Sequence, residues 1–291
     1  MKKAVLAAGA VVGSAIALAV GAQIVSNRSA EKEVDRVIAN VSDVVDVEYK
    51  DVESTFFSQG TKVQELTLSA VGSEETVSID EVTVYEYETT EEDIPEALDV
   101  AIEGIALRLS DIGEQGEALR DIGYGEELLV NVAAKYEYEA EENAVHIEKM
   151  TVGADDVGDF DMNLKLANVS LDTDAIAGFP FSFFGVAFEA AEITYRDDSF
   201  MDKMFEAMAE SEGISVQELK AELIEGLDSG LDESADELDK ELVSNLKDFI
   251  QNPDSFSVSF SPNEPINFLT FMGISGDPEA LVDTLNIRFE S

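Results

Sequence analysis

The chain has 291 residues, 45% of them hydrophobic, which is enough to bury a core and excludes disorder throughout. Its 63 acidic residues against 18 basic ones give a formal charge of -45, and no cluster of Lys or Arg offers itself to a phosphate backbone, so nucleic acid is excluded as a partner. The absence of cysteine removes disulfides, thiolate metal sites, cysteine nucleophiles and lipid attachment through an N-terminal cysteine. The acidity is spread along the chain instead of forming one tail. That is the mark of a solvated, self-repelling surface, of the kind adapted to high salt, more than of a dedicated cation-binding surface.

Met1, Lys2 and Lys3 precede an apolar run over residues 4–22 whose only clearly polar member is Ser14. This is the pattern of an export signal. Small residues in Ala17-Leu18-Ala19 and Val20-Gly21-Ala22 allow cleavage before Val20 or Gln23. The alternative is a retained anchor, because residues 4–25 are just long enough to span the hydrocarbon of a bilayer. Lys2 and Lys3 orient the bulk of the chain away from the cytoplasm. The expected location is therefore a bacterial cell envelope: the periplasm, with the chain either anchored to the inner membrane by residues 4–25 or released after cleavage.

Four stretches follow from composition: 1–25, signal peptide or membrane anchor; 26–94, an N-terminal β-meander; 95–195, short helices and a central antiparallel sheet; and 196–291, a helical cover with closing strands. A short amphipathic segment over residues 29–39 carries Val34, Val37 and Ile38 on one face. Val45, Val47 and Tyr49 then alternate with Asp46, Glu48 and Lys50, a turn with Gly60 follows over residues 58–61, and Leu66 and Leu68 mark a second strand over residues 63–71. Val77, Ile79, Val82, Val84, Tyr85 and Tyr87 form a third, whose phase change predicts a bulge near Glu81.

Pro95 suits a first helical position, and Ala97, Leu98, Ala101, Ile102 and Ile105 predict a helix over residues 95–109. A second, short helix is expected over residues 114–122, stopped by Gly123. The clearest period of two runs over residues 128–169. Val130, Val132, Ala134, Tyr136 and Tyr138 define one strand, Val145 and Ile147 a second, and Phe160, Met162, Leu164 and Leu166 a third. The connections are too short for crossovers, so these strands are antiparallel. Residues 186–195 read as a further strand.

From Ser199 the period becomes helical. Phe200, Met201, Met204, Phe205 and Met208 cluster on one face, a pattern that marks core packing ahead of a cofactor site, and Gly213 ends the helix. Ser215 and Glu218 form a capping box for a second helix with Leu219, Leu223 and Ile224 as its stripe. Leu231, Ala235, Leu238, Leu242, Leu246 and Phe249 predict a third, ending before Pro253. Strands over residues 256–260 and 286–289 flank a short helix that begins with Pro278.

Few residues offer chemistry. His146 is the only histidine, with Glu148 two residues on and on the same strand face. A base-and-orienter pair is one reading and a solvent-facing pair the other, favoured because no nucleophile motif accompanies it. Gly123 and Gly125 lack the third glycine of a dinucleotide fingerprint, and no phosphate-binding Lys-Ser or Lys-Thr follows. No cofactor is expected. Asp155, Asp156, Asp159 and Asp161, with Asn163 beyond, crowd carboxylates as a calcium site does, although they miss the EF-hand spacing; the alternative is an acidic turn leading into a strand's wet face. Asp232, Glu233, Asp236, Glu237 and Asp239 read as the solvated flank of their helix. Phe179, Phe181, Phe183, Phe184 and Phe188 form an aromatic run that is either buried strand or turn core, or an apolar surface that touches lipid.

Several of these features together resemble the uncharacterised bacterial envelope proteins of the YdgA-like and AsmA-like kind. They are the apolar segment leading into Gly21-Ala22-Gln23, the Val47-Glu48-Tyr49 strand with Phe56-Phe57-Ser58 behind it, the sheet from Ile122-Gly123-Tyr124 to Asn168, and Tyr195-Arg196-Asp197-Asp198 before the capped helices. The resemblance implies a long twisted antiparallel sheet with an apolar trough in the periplasm, and an association with lipid handling or outer-membrane assembly. It implies no catalytic residues.

The expected fold is α+β: a large curved antiparallel β-sheet built from meanders, covered by a C-terminal set of amphipathic helices and preceded by the signal or anchor helix. The expected function is non-enzymatic, an exported envelope protein that binds lipid or another envelope protein in cell-envelope maintenance, with membrane contact through the N-terminal segment if that is kept. An envelope hydrolase using a carboxylate pair and an acidic calcium-binding surface protein are the alternatives.

Overall fold

The computed structural model describes residues 34–35, 38–39, 42, 45–55, 60–71, 76–89, 95–170, 185–231, 237–274 and 278–291. The signal or anchor segment and most of the segment over residues 29–39 lie outside the described residues. Among the described residues an open, mostly antiparallel sheet of twelve strands is accompanied by helices, the α+β architecture expected from the alternation. The strands are β1 (Val45–Glu48), β2 (Asp51–Thr55), β3 (Gly60–Ala70), β4 (Thr76–Thr89), β5 (Pro95–Arg108), β6 (Glu127–Glu139), β7 (Ala144–Ala154), β8 (Gly158–Ala167), β9 (Ala187–Asp197), β10 (Ser255–Phe260), β11 (Ile266–Asn267) and β12 (Arg288–Glu290). Their hydrogen-bonded order is β1-β3-β4-β5-β6-β7-β8-β9-β10-β12, with β2 also on β3 and β11 also on β9. The chain divides into two compact units, Met1–Lys135 with Val152–Asp155, and Tyr136–Thr151 with Asp156–Ser291.

In the first unit β1 and β2 lie end to end along β3 in one unbroken register, Val45 opposite Ala70 and Thr55 opposite Gly60. Val63, Leu66, Leu68, Ile79, Val82, Val84, Val100 and Ile102 form its core, each almost fully buried. The buried set changes phase within β3, from Val63 to Leu66, and beside it within β4, from Ile79 to Val82. Glu65 makes the step possible by adopting φ 50. The change of phase expected near Glu81 lies between Ile79 and Val82, and the register of β4 against β5 also slips between Val84 and Glu86, which leaves Tyr85 as an extra residue.

The helix expected over residues 95–109 is absent, and this expectation is corrected. The stretch is strand β5, followed by a 3-10 turn, Leu109–Ile112, and by helix α1, Glu114–Asp121. Leu98, Val100 and Ile102 sit opposite Tyr87, Val84 and Val82 of β4, so they serve as one face of a strand.

In the second unit β8 pairs with β9, and β9 with β10. Helices α2 (Phe200–Glu212), α3 (Val216–Gly230) and α4 (Glu237–Gln251) follow β9, and α5 (Phe268–Ile274) and α6 (Pro278–Leu285) separate the last strands. Helix α2 ends where Gly213 takes the left-handed conformation at φ 70, and Ile214 N–H closes the cap onto Ala209 O at 3.1 Å. The expected capping box is present at α3: Glu218 N–H donates to Ser215 Oγ at 3.2 Å and Ser215 N–H donates to Glu218 Oε2 at 2.9 Å. Leu231, expected in the third helix, instead terminates α3 in extended backbone. Met201 and Met204 pack with Ile214 and Leu223 against buried Phe205, Ala209 and Leu219, so these two methionines serve as core, while Met208 of the same helix is exposed.

Candidate functional site

The apolar cavity of the second unit is built by strand register. Along β8, Phe160, Met162, Leu164 and Leu166 alternate with Asp161, Asn163 and Lys165, so one sheet face is apolar. Their partners on β9 are Tyr195, Ile193, Ala191 and Phe188, the last brought into line by a register shift between Lys165 and Leu166. The rows continue outward. Phe256 faces Tyr195 and Phe260 faces Ala191 on β10, while Ile266 of β11 faces Phe188.

Helix α4 covers one end of this face: Phe249 meets Tyr195 with ring centroids 6.2 Å apart and Phe256 at 5.8 Å, both edge-on. Toward the other end stands Ala191, a methyl between Leu164 and Phe260, and the sheet surface drops there. The result is a cavity of about 380 Å³ lined by Met162, Leu164, Leu166, Val186, Phe188, Ala191, Ile193, Phe260, Ile266, Phe271 and Leu285. Phe271 of α5 and Leu285 of α6 complete the wall, and Phe188 and Phe260 stand edge to face at 6.5 Å. Ile193 and Phe271 are about two-fifths exposed, and Leu269 and Met272 beside Phe271 on α5 more so. The eleven lining side chains among the described residues are all apolar, and none of them can move a proton or attack a carbonyl; the Met162 thioether is their one soft donor atom.

Of the aromatic run singled out in the sequence, the structure places Phe188 in this wall; Phe179, Phe181, Phe183 and Phe184 lie outside the described residues. Ile266 and Phe271 fall on elements that the sequence pattern did not reveal, and the other lining residues were legible only as strand or helix core, because what joins them is register across four strands and two distant helices.

The four aspartates of the calcium reading are used locally. In the first unit Asp155 Oδ1 accepts from Asn131 Nδ2 at 2.7 Å. In the second, Asp156 occupies a turn at φ 61 and its carbonyl accepts from Ser199 Oγ. Asp159 stands opposite Arg196, and Asp161 is paired with Arg196 and accepts from Thr151 Oγ1. Among the described residues no group of three or more His, Asp or Glu side chains is placed to hold a metal ion. His146 and Glu148 lie on β7, both half-buried. No helix of the described residues is long and apolar enough to cross a membrane.

A protein-family model described only as "Uncharacterized protein" matches residues 151–291, a stretch that contains every residue lining the cavity. No curated protein matches the chain.

Proposed function

We propose that this chain is a non-enzymatic, exported envelope protein whose second unit binds a single acyl chain in the cavity over Ala191. The observation that carries the reading is the lining: among the described residues it consists of eleven apolar side chains, a surface suited to hydrocarbon. A cavity of about 150 Å³ holds one benzene ring, so 380 Å³ has room for roughly two and a half times that hydrocarbon, the bulk of one medium-length chain. The exported location comes from the N-terminal sequence, and it puts the site where free amphiphiles meet it.

The test is uptake of a neutral apolar fluorophore by the purified protein, followed by displacement with straight-chain alcohols of increasing length. Each methylene buried is worth about 0.8 kcal/mol, so affinity should rise about fourfold per carbon and then level off once the chain outgrows the cavity. Ala191→Phe, which fills the floor between Leu164 and Phe260, should abolish uptake. An affinity that climbs without a plateau, or uptake unchanged in the Ala191→Phe protein, would refute binding inside the cavity.

A further inference from the structure

Resting on that reading, we propose that the cavity is loaded directly from a lipid bilayer, and that helix α5 is the element that enters the membrane surface beside the cavity mouth. Exposure marks the mouth: of the eleven lining residues, Ile193 and Phe271 are the large hydrophobics left open to solvent. Phe271 belongs to two surfaces. It walls the cavity, and it is continuous along α5 with Leu269 and Met272, which are 60% and 57% exposed and, three residues apart, neighbours on the helix surface.

Three properties of this turn suit it to hydrocarbon. No charged residue occurs over residues 265–276, in a chain of which 28% is charged, so nothing on it has to stay in water. The polar groups of its first turn are bonded locally: Asn267 Oδ1 accepts from Thr270 N–H at 2.8 Å and from Thr270 Oγ1 at 3.0 Å, and both bonds survive transfer out of water. Residues 269–273 are all exposed, so the turn can enter a surface without the fold opening. Two further observations select a bilayer over a protein as the occupant. A protein seated on Leu269 and Met272 would cover Phe271 and shut the mouth, whereas a bilayer brings to that mouth the hydrocarbon its walls suit. The apolar run over residues 4–25, which reads as an export signal or anchor, also delivers the chain to a membrane. An acyl chain that slides past Phe271 never meets water, and so avoids a penalty of about fourfold per methylene.

The chain has no tryptophan, so one placed on α5 reports on that helix alone. Leu269→Trp is mixed with phosphatidylcholine vesicles and with vesicles of the same lipid brominated on its acyl chains; Met208→Trp on α2, at a position 36% exposed in the same unit, is the control. The Leu269→Trp emission should shift to the blue and be quenched by the brominated lipid, and the Met208→Trp emission should be quenched far less. Met272→Asp should slow uptake of the neutral fluorophore from vesicles about tenfold or more, the equivalent of losing one buried apolar side chain. Uptake from solution should persist in that variant, because Met272 is not among the lining residues. Equal quenching of the two reporters, no quenching of Leu269→Trp, or uptake from vesicles at the parent rate in the Met272→Asp protein would overturn loading through α5 and leave the acyl-chain site standing. A parent protein that takes up no fluorophore from solution or from vesicles would overturn both.

Discussion

Glu81 shows how single residues manage charge in a chain this acidic. Burial alone would raise its carboxyl, but Lys62 donates to it, Thr83 Oγ1 donates at 2.8 Å and Gln64 Nε2 at 3.4 Å, and together with the Lys62 charge they hold it below its ordinary 4.5. The same bond raises the Lys62 ammonium above 10.5. The carboxylate's contribution is therefore complete above 4.5 and disappears as pH falls through the lower folded value; that of Lys62 is complete below 10.5 and disappears as pH climbs through the higher folded one. Glu81→Gln should lower stability at neutral pH by under about 1 kcal/mol, since both partners keep contact with solvent. It should also flatten the fall in stability below pH 4.5, and urea titrations on either side of that pH would show both effects. An acid slope identical to that of the parent would remove Glu81 from the account. Gly104 is a second sensitive residue: at φ 67 it is buried against the Asp80 side chain, and its N–H donates to Asn131 Oδ1 at 2.9 Å. Gly104→Ala combines a disfavoured backbone conformation with overlap on Asp80, and a loss of about 1–3 kcal/mol is expected from chemical denaturation.

At the scale of elements, local chemistry explains the helices better than the strands. Ser215 and Glu218 satisfy each other's neighbouring backbone donors, and backbone and side-chain hydrogen bonds from Ser215 hold the Glu218 carboxyl below its ordinary value. Ser215→Ala should cost about 1 kcal/mol, visible as a lower midpoint in thermal or urea unfolding, while Ser215→Asp, which restores an acceptor, should recover most of it. Such a cap is written in four adjacent residues, which is why it was legible. Strand β5 was not, because residues 95–109 carry both periods at once. Ala97, Leu98, Ala101, Ile102 and Ile105 fit a helix behind Pro95, and Leu98, Val100 and Ile102 equally fit one face of a strand. What decides is the edge of β4, whose Tyr87, Val84 and Val82 wait opposite. The cavity was hidden for the same reason at longer range. Alternation in β8 shows that Leu164 and Leu166 share a face, but that Ala191 lies between Leu164 and Phe260 depends on three strands coming into register.

For the whole molecule the charge of -45 is the dominant physical fact, because it opposes compaction in each unit while ion pairs such as Lys50 with Glu65, Arg120 with Glu126 and Lys247 with Asp228, among the described residues, are largely exposed. Folding brings carboxylates together, so the repulsion is stronger in the folded state than in the extended chain, and screening must favour folding. Salt has an opposite effect on the pairs: Lys50 with Glu65 and Lys247 with Asp228 weaken as their attraction is screened. With 63 acidic residues to 18 basic ones, repulsive pairs outnumber attractive ones and the first effect wins. The urea midpoint should therefore rise as sodium chloride is increased from about 0.1 M, where the Debye length is about 10 Å, toward 1 M, where it is about 3 Å. The denaturant slope should stay constant if native compactness is unchanged, and chloride and perchlorate should act alike at low concentration, where screening governs. A midpoint that falls with salt would mean that specific ion pairs outweigh the self-repulsion. In that case the surface acidity would act as a stabilising network.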